Sequence, residues 1–97
     1  MRRSKADGGS RLSMVEAAPI EADLLAFLRR EVFAPELDIT VETDLISAGF
    51  DSMSLVRVLV FVEQTYQLWI PESEITAENL KNLRTLAATI ARLLRSR

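Results

Sequence analysis

Ile20, Leu24, Phe27, Leu28 and Val32 recur at offsets of three and four, with Glu21, Asp23, Arg29 and Arg30 between them. That period lines one face of an α-helix, so "IEADLLAFLRREVF" after Pro19 predicts an amphipathic helix. Its acids stand in the first turn and its bases near the end, as the helix dipole favours. Pro35 cannot continue a helix and stops this one. The clearest pattern comes last, in "NLRTLAATIARLLRSR". Leu83, Leu86, Ala87, Ile90, Leu93 and Leu94 share a face there, Asn82 is the cap candidate, and Arg92, Arg95 and Arg97 sit near the negative end. Between the two lies "SMSLVRVLVFVEQTYQ", residues 52–67, whose β-branched side chains invite a strand. About fifteen residues without Gly or Pro is long for a strand, and helix is the better reading. Valine costs a few tenths of a kcal/mol in a helix, whereas burying one contributes about 1.5 kcal/mol.

The remaining segments connect these elements. Residues 34–51, "APELDITVETDLISAGFD", lack sustained periodicity, and Ile39, Val41 and Leu45 are the residues that could tuck so long a loop onto a core. A loop of that length in a small domain often has a function. "LWIP", 68–71, reads as a turn with an apolar plug, Trp69 included in the core. "ESEITAENL", 72–80, reads as a short helix or turn, with Thr76 a cap candidate. Three longer helices, one small one and a long loop after the first add up to an all-α fold, a small four-helix bundle.

The totals narrow the chemistry. The chain has 97 residues, 48% of them hydrophobic and 27% charged, which fits one globular domain. Residues 1–18, with a Gly-Gly pair and three serines, read as a disordered arm, and 19–97 as the folded domain. No run approaches the roughly 20 apolar residues of a membrane span. The basic start has no apolar core behind it, as a secretory signal would, and the default location is the cytoplasm. There is no cysteine and no histidine. Thiolate nucleophiles, imidazole bases and the usual zinc sites are therefore missing, and the chain is a poor candidate for an enzyme or a metal site. Residues 1–19 carry a net charge of +2 and residues 20–97 carry −4. The folded part should repel nucleic acid.

One short stretch stands out. "GFDSMS", residues 49–54, puts two serines and an aspartate at the mouth of the greasiest segment. Ser52 closes the long loop and opens the second helix. Its plainest reading is an N-cap. The second reading uses the same place: a helix N-terminus presents unpaired N–H groups and partial positive charge, which favour a phosphate on that hydroxyl. Gly49 lets the loop turn sharply, Phe50 can anchor the turn, and Asp51 keeps the surroundings polar.

The longer stretch "TDLISAGFDSMSLVRVLVFVEQTYQLWIP" resembles acyl and peptidyl carrier proteins. Asp44, Leu45, Gly49, Asp51, Ser52, Met53, Glu63, Ile70 and Pro71 fill the family's D-x-L, G-x-D-S-[LM], helix-ending acid and I-P positions. The resemblance covers about residues 20–95 and includes the four-helix order. It implies that Ser52, flanked by Asp51, receives 4'-phosphopantetheine from coenzyme A through a separate phosphopantetheinyl transferase. The arm's thiol would then hold an acyl or aminoacyl group as a thioester. The imported sulfur gives the absence of cysteine a sensible place. The chain would be a monomeric tether that raises effective concentration at its partners, a loading ligase and downstream transfer enzymes, and would not itself catalyse.

Fatty-acid carriers of this family usually line the exposed side of the second helix with acids. Here Ser54, Arg57 and Gln64 stand where acids are common, and Glu63 remains. Met53, Val56, Val60 and Phe61 cannot all be buried together with Leu55, Val58, Leu59 and Val62. Three neighbours cover most of the helix, or Met53, Val56, Arg57 and Val60 form a partner-docking strip beside Ser52, and the two readings are compatible on different faces. The departure favours a specialised pathway over housekeeping fatty-acid synthesis. The aminoacyl or peptidyl version and an unmodified helical interaction module are the alternatives.

Overall fold

The computed structural model describes residues 16–96. Three α-helices carry the fold: α1 (Ala17–Glu31), α2 (Ser52–Tyr66) and α3 (Leu83–Ser96). Most of the stripe expected on α1 and on α3 is buried, with Phe27, Val32, Leu93 and Leu94 only partly so. Ile20, Leu24 and Leu28 come from α1, Val58 and Val62 from α2, and Leu83, Leu86, Ala87, Ile90 and Ala91 from α3. The closest packing is between α1 and α3. The expectation of an all-helical domain agrees with this, with no strand among the described residues.

The fourth helix does not form as an α-helix. Residues 72–80 hold one 3₁₀ turn, Glu72–Glu74, followed by a separate hydrogen-bonded turn. Side chains intercept the backbone groups that a helix would use. Thr76 Oγ1 accepts from the Asn79 amide at 3.1 Å, and Asn79 Nδ2 donates to the Glu74 carbonyl at 2.7 Å. Short polar side chains compete with helix bonds in this way. The small element is thus a pair of turns, with Thr76 capping the second.

Two boundaries also move. α1 begins at Ala17, two residues before Pro19, because proline is tolerated in a first helical turn where its missing N–H has no partner to lose. Its first turn therefore holds no acid, and Glu21 and Asp23 fall in the second. The arm expected over residues 1–18 lies outside the described residues except for Glu16, Ala17 and Ala18, and the last two are helical. At the other end, α3 starts as its pattern predicts. Asn82 Oδ1 accepts from the Thr85 amide at 2.9 Å, and Thr85 Oγ1 accepts from the Asn82 amide at 3.2 Å. That reciprocal pair satisfies two donors at the helix entrance.

The long loop is held at several points. Ile39 and Leu45 are fully buried and Val41 is half-buried. Leu45 N–H donates to the Lys81 carbonyl at 2.9 Å, and the Arg84 amide donates to the Val41 carbonyl at 3.1 Å. Arg29 Nη2 reaches back from α1 to the Ile39 carbonyl at 2.8 Å. The loop therefore enters α2 from a fixed direction.

Trp69 is not a plug. It is 63% exposed, whereas Leu68 and Ile70 on either side are buried. Gln67 ends α2 in the left-handed conformation, with φ of 55°. Beyond it burial alternates, so that Leu68 and Ile70 face inward and Trp69 between them faces out.

Candidate functional site

The site forms where the loop becomes α2. Leu45 and Phe50 are both buried, and the Phe50 amide donates to the Leu45 carbonyl at 2.9 Å, closing a tight turn between two core anchors. Gly49 sits at φ +107°, a conformation L side chains rarely adopt, so glycine supplies the reversal here. Ser47 N–H donates to Asp44 Oδ1 at 3.1 Å and steadies the approach. The turn delivers residues 51–54 at the helix mouth.

Asp51, and not Ser52, is the N-cap. Its backbone is extended, and its Oδ1 accepts from both the Ser54 amide and the Ser54 hydroxyl, each at 2.9 Å. Aspartate and serine are comparably good caps, and the Gly49–Phe50 turn puts the boundary one residue earlier than expected. The Ser54 backbone N–H, followed by its hydroxyl, holds the Asp51 carboxyl below the usual carboxylate range. Ser54 itself is buried.

Ser52 is then the first residue of α2 and is exposed. Its hydroxyl has no hydrogen-bond partner among the described residues. It stands at the electropositive end of a helix of 15 residues. On one side, Ile46, Phe50, Leu55 and Leu80 line a shallow groove of about 250 Å³ that reaches Ser52. On the other, Met53 and Arg57 of α2 meet Glu31 and Val32 at the end of α1. Arg57 Nη1 donates to the Glu31 carbonyl at 2.8 Å and ties the two helices together near the site.

Of the four residues expected as a docking strip, Met53, Val56 and Val60 are 65%, 51% and 42% exposed, and Arg57 is exposed as well. Phe61 is not among the exposed side chains. It stacks on Phe27 of α1 with ring centroids 4.4 Å apart. Sequence reasoning missed Ile46, which is 61% exposed beside Ser52. Its apolar character reads as core, and only the turn geometry turns it outward. It also missed the part α1 plays beside the strip.

Among the described residues, no group of three or more Asp or Glu side chains is arranged to hold a metal ion. No helix there is long and apolar enough to cross a membrane.

A family model described as "Phosphopantetheine attachment site" matches residues 22–93. Aminoacyl carrier protein 1 of Bradyrhizobium diazoefficiens is 39% identical over 49 residues, which cover 50% of this chain and 54% of that protein. Aminoacyl carrier protein 2 of the same organism is 32% identical over 59 residues, covering 61% and 66% respectively. The chain thus spans less than two thirds of the length of either relative. No solved structure gives a significant match.

Proposed function

Because this chain belongs to the phosphopantetheine attachment-site family, we propose that it is a carrier protein whose Ser52 is the attached residue and whose cargo is an aminoacyl group. The observation that carries the attachment reading is the exposed hydroxyl of Ser52 at the first position of α2, without a hydrogen-bond partner among the described residues. The residues present fit a phosphate ester there. The oxygen is open to a second protein, the helix end favours the added negative charge, and Asp51 commits its carboxylate to Ser54. When bound, the group supplies a terminal thiol that holds cargo as a thioester. In forming the ester, Ser52 Oγ would give up its proton to a base and bond to the pantetheine-side phosphorus of coenzyme A, while the pyrophosphate P–O bond breaks and adenosine 3',5'-bisphosphate leaves. A transferase supplies the base on this reading, since the chain has no histidine and the neighbouring Asp51 carboxylate is engaged as the cap of Ser54.

The remaining residues orient and present. The Gly49 turn and the Asp51 cap fix where the oxygen points, and the Arg57 bond to α1 keeps the platform from tilting. Two relatives named aminoacyl carrier proteins favour an amino acid, loaded by a dedicated ligase, over a fatty or polyketide acyl group. The sparse acid on α2 supports the same move away from fatty-acid synthesis. The chain carries and does not catalyse.

Intact-mass measurement after incubation with coenzyme A and a broad-specificity phosphopantetheinyl transferase tests this. Wild type should gain one phosphopantetheinyl group and Ser52→Ala none. No gain in folded wild type would leave the unmodified interaction module as the better reading. A gain in both would move the attachment to another serine. Holo protein that ligases charge with fatty acids and not with amino acids would overturn the cargo.

A further inference from the structure

The α1–α2 face holds an apolar groove of about 410 Å³. Phe27 and Phe61, stacked on each other, form its floor, and Val56 and Val60 form one wall. Arg30 and Arg57 stand at its edges. The Arg30 guanidinium lies 6.0 Å from the Phe27 ring centroid and is paired with the Glu31 carboxylate at 3.1 Å. Arg57 gives its bond to a backbone carbonyl and has no carboxylate partner among the described residues. Glu31 and Gln64 complete the lining, so the groove carries two cations against one anion. It shares Glu31 and Arg57 with the neighbouring cleft that holds Met53, the residue next to Ser52, and Val60 is about 12 Å along the helix from that serine.

We propose that this groove receives an apolar side chain flanked by carboxylates on the enzyme that loads or unloads the carrier. The identity of that partner as an enzyme rests on the carrier reading above. The floor and wall are large and apolar, which selects a leucine-like or aromatic anchor. The excess of positive charge at the rim selects acids around the anchor and rejects a basic surface. The polarity is therefore opposite to that of a carrier whose second helix is acidic.

Two synthetic helical peptides serve as probes, one with leucines on one face flanked by glutamates, the other with those glutamates replaced by lysines. Each is titrated into the ¹⁵N-labelled chain and followed by amide shifts. The acidic peptide should move residues 27, 30, 56, 57, 60 and 61, weaken with added salt, and bind about tenfold or more tighter than the lysine peptide. Arg57→Glu should reverse that preference. Because Arg57 also holds the Glu31 carbonyl, Arg30→Glu, which breaks the surface pair with Glu31 and the contact with the Phe27 ring but no bond between the helices, is the second variant and should reduce it too. Equal binding of both peptides, no shifts with either, or shifts centred on Ile46 and Leu80 would overturn the proposal. Ser52→Ala should bind the acidic peptide as wild type does. If wild type docks the peptide but gains no mass with the transferase, the groove stands and the carrier reading falls. If it gains mass but shows no peptide preference, the carrier reading stands and the groove falls.

Discussion

Removing the Asp51 cap and removing the Ser52 hydroxyl should have opposite consequences. Asp51 Oδ1 accepts two hydrogen bonds from Ser54 at 2.9 Å. Truncation to alanine loses the cap, for which about 0.5–2 kcal/mol is usual. It also leaves the Ser54 hydroxyl without its acceptor in a position only 9% exposed, which moves the cost toward the upper end. About 2 kcal/mol in a domain this small corresponds to a melting temperature lower by roughly 8–16 °C. Asp51→Asn keeps the acceptor and should cost only a few tenths of a kcal/mol. Ser52→Ala removes an exposed hydroxyl with no partner among the described residues and replaces serine by a better helix former, so its melting temperature should equal or slightly exceed that of wild type. The acid limb adds a sign. Asp51's folded value lies below its unfolded one, so its share of stability is present above about pH 4 and is lost as pH falls through the lower, folded value. Asp51→Asn should lack that share of the slope. Thermal melts by circular dichroism at neutral pH and across the acid range read all of this. A Ser52→Ala protein destabilised as much as Asp51→Ala would refute the assignment of the cap.

Three further outcomes follow from single observations. Gly49→Ala meets no atom within 4 Å of the new Cβ, so its cost is backbone strain alone, about 1–3 kcal/mol, and a chemical denaturation curve should show it as a lower midpoint. Tyr66→Phe deletes the 2.6 Å bond that the phenol donates to Asp23 across α1 and α2, at about 0.5–1.5 kcal/mol. Burial first, and then Asp23, push that phenol's ionisation above its ordinary range. Its share of stability is therefore present below about pH 10 and lost as pH rises through the folded value, a slope that the phenylalanine variant should lack in alkaline melts. Trp69→Ser should change stability by no more than about 0.5 kcal/mol, where a buried plug would cost about 3–5 kcal/mol. The fluorescence maximum of the sole tryptophan should already lie at the long wavelength of an indole in water.

The faces of α1 and α3 are legible in the sequence because three- and four-residue spacing has no other reading, and Ile20, Leu24, Leu28, Leu83, Leu86 and Ile90 are buried accordingly. Ile39 and Leu45 are legible too, since a polar loop has no other use for them. What escapes is parity and the single residue. Whether Asp51 or Ser52 caps α2 depends on where the Gly49 turn releases the chain, and both residue types cap well. Whether Trp69 points inward depends on Gln67 entering the left-handed region, which no local preference for glutamine predicts. Residues 72–80 have enough acids and apolar residues for a helix, yet Thr76 and Asn79 tie the backbone groups into turns. The exposed strip of α2 is a property of which neighbours exist, and composition alone leaves it open.

The separation of cap from attachment has a physical reason on the proposed reading. An N-cap works by offering an oxygen lone pair to the amide two or three residues on. A serine oxygen that becomes a phosphoester is a poorer acceptor and is crowded by its substituent, so a helix capped by the modified residue would loosen whenever the group was added. With Asp51 holding Ser54, the helix start is independent of what Ser52 carries. The same logic accounts for the anchors on either side. Leu45, Phe50 and the Arg57 bond to the Glu31 carbonyl all fix the backbone around Ser52 without a hydrogen bond to its hydroxyl. The prediction that discriminates is a comparison of unmodified and modified protein. Their melting temperatures should agree within the 1–2 °C that a few tenths of a kcal/mol would move them, and amide shifts should be confined to residues near 52. A stability change as large as that expected for Asp51→Ala would mean that the hydroxyl does hold the helix after all.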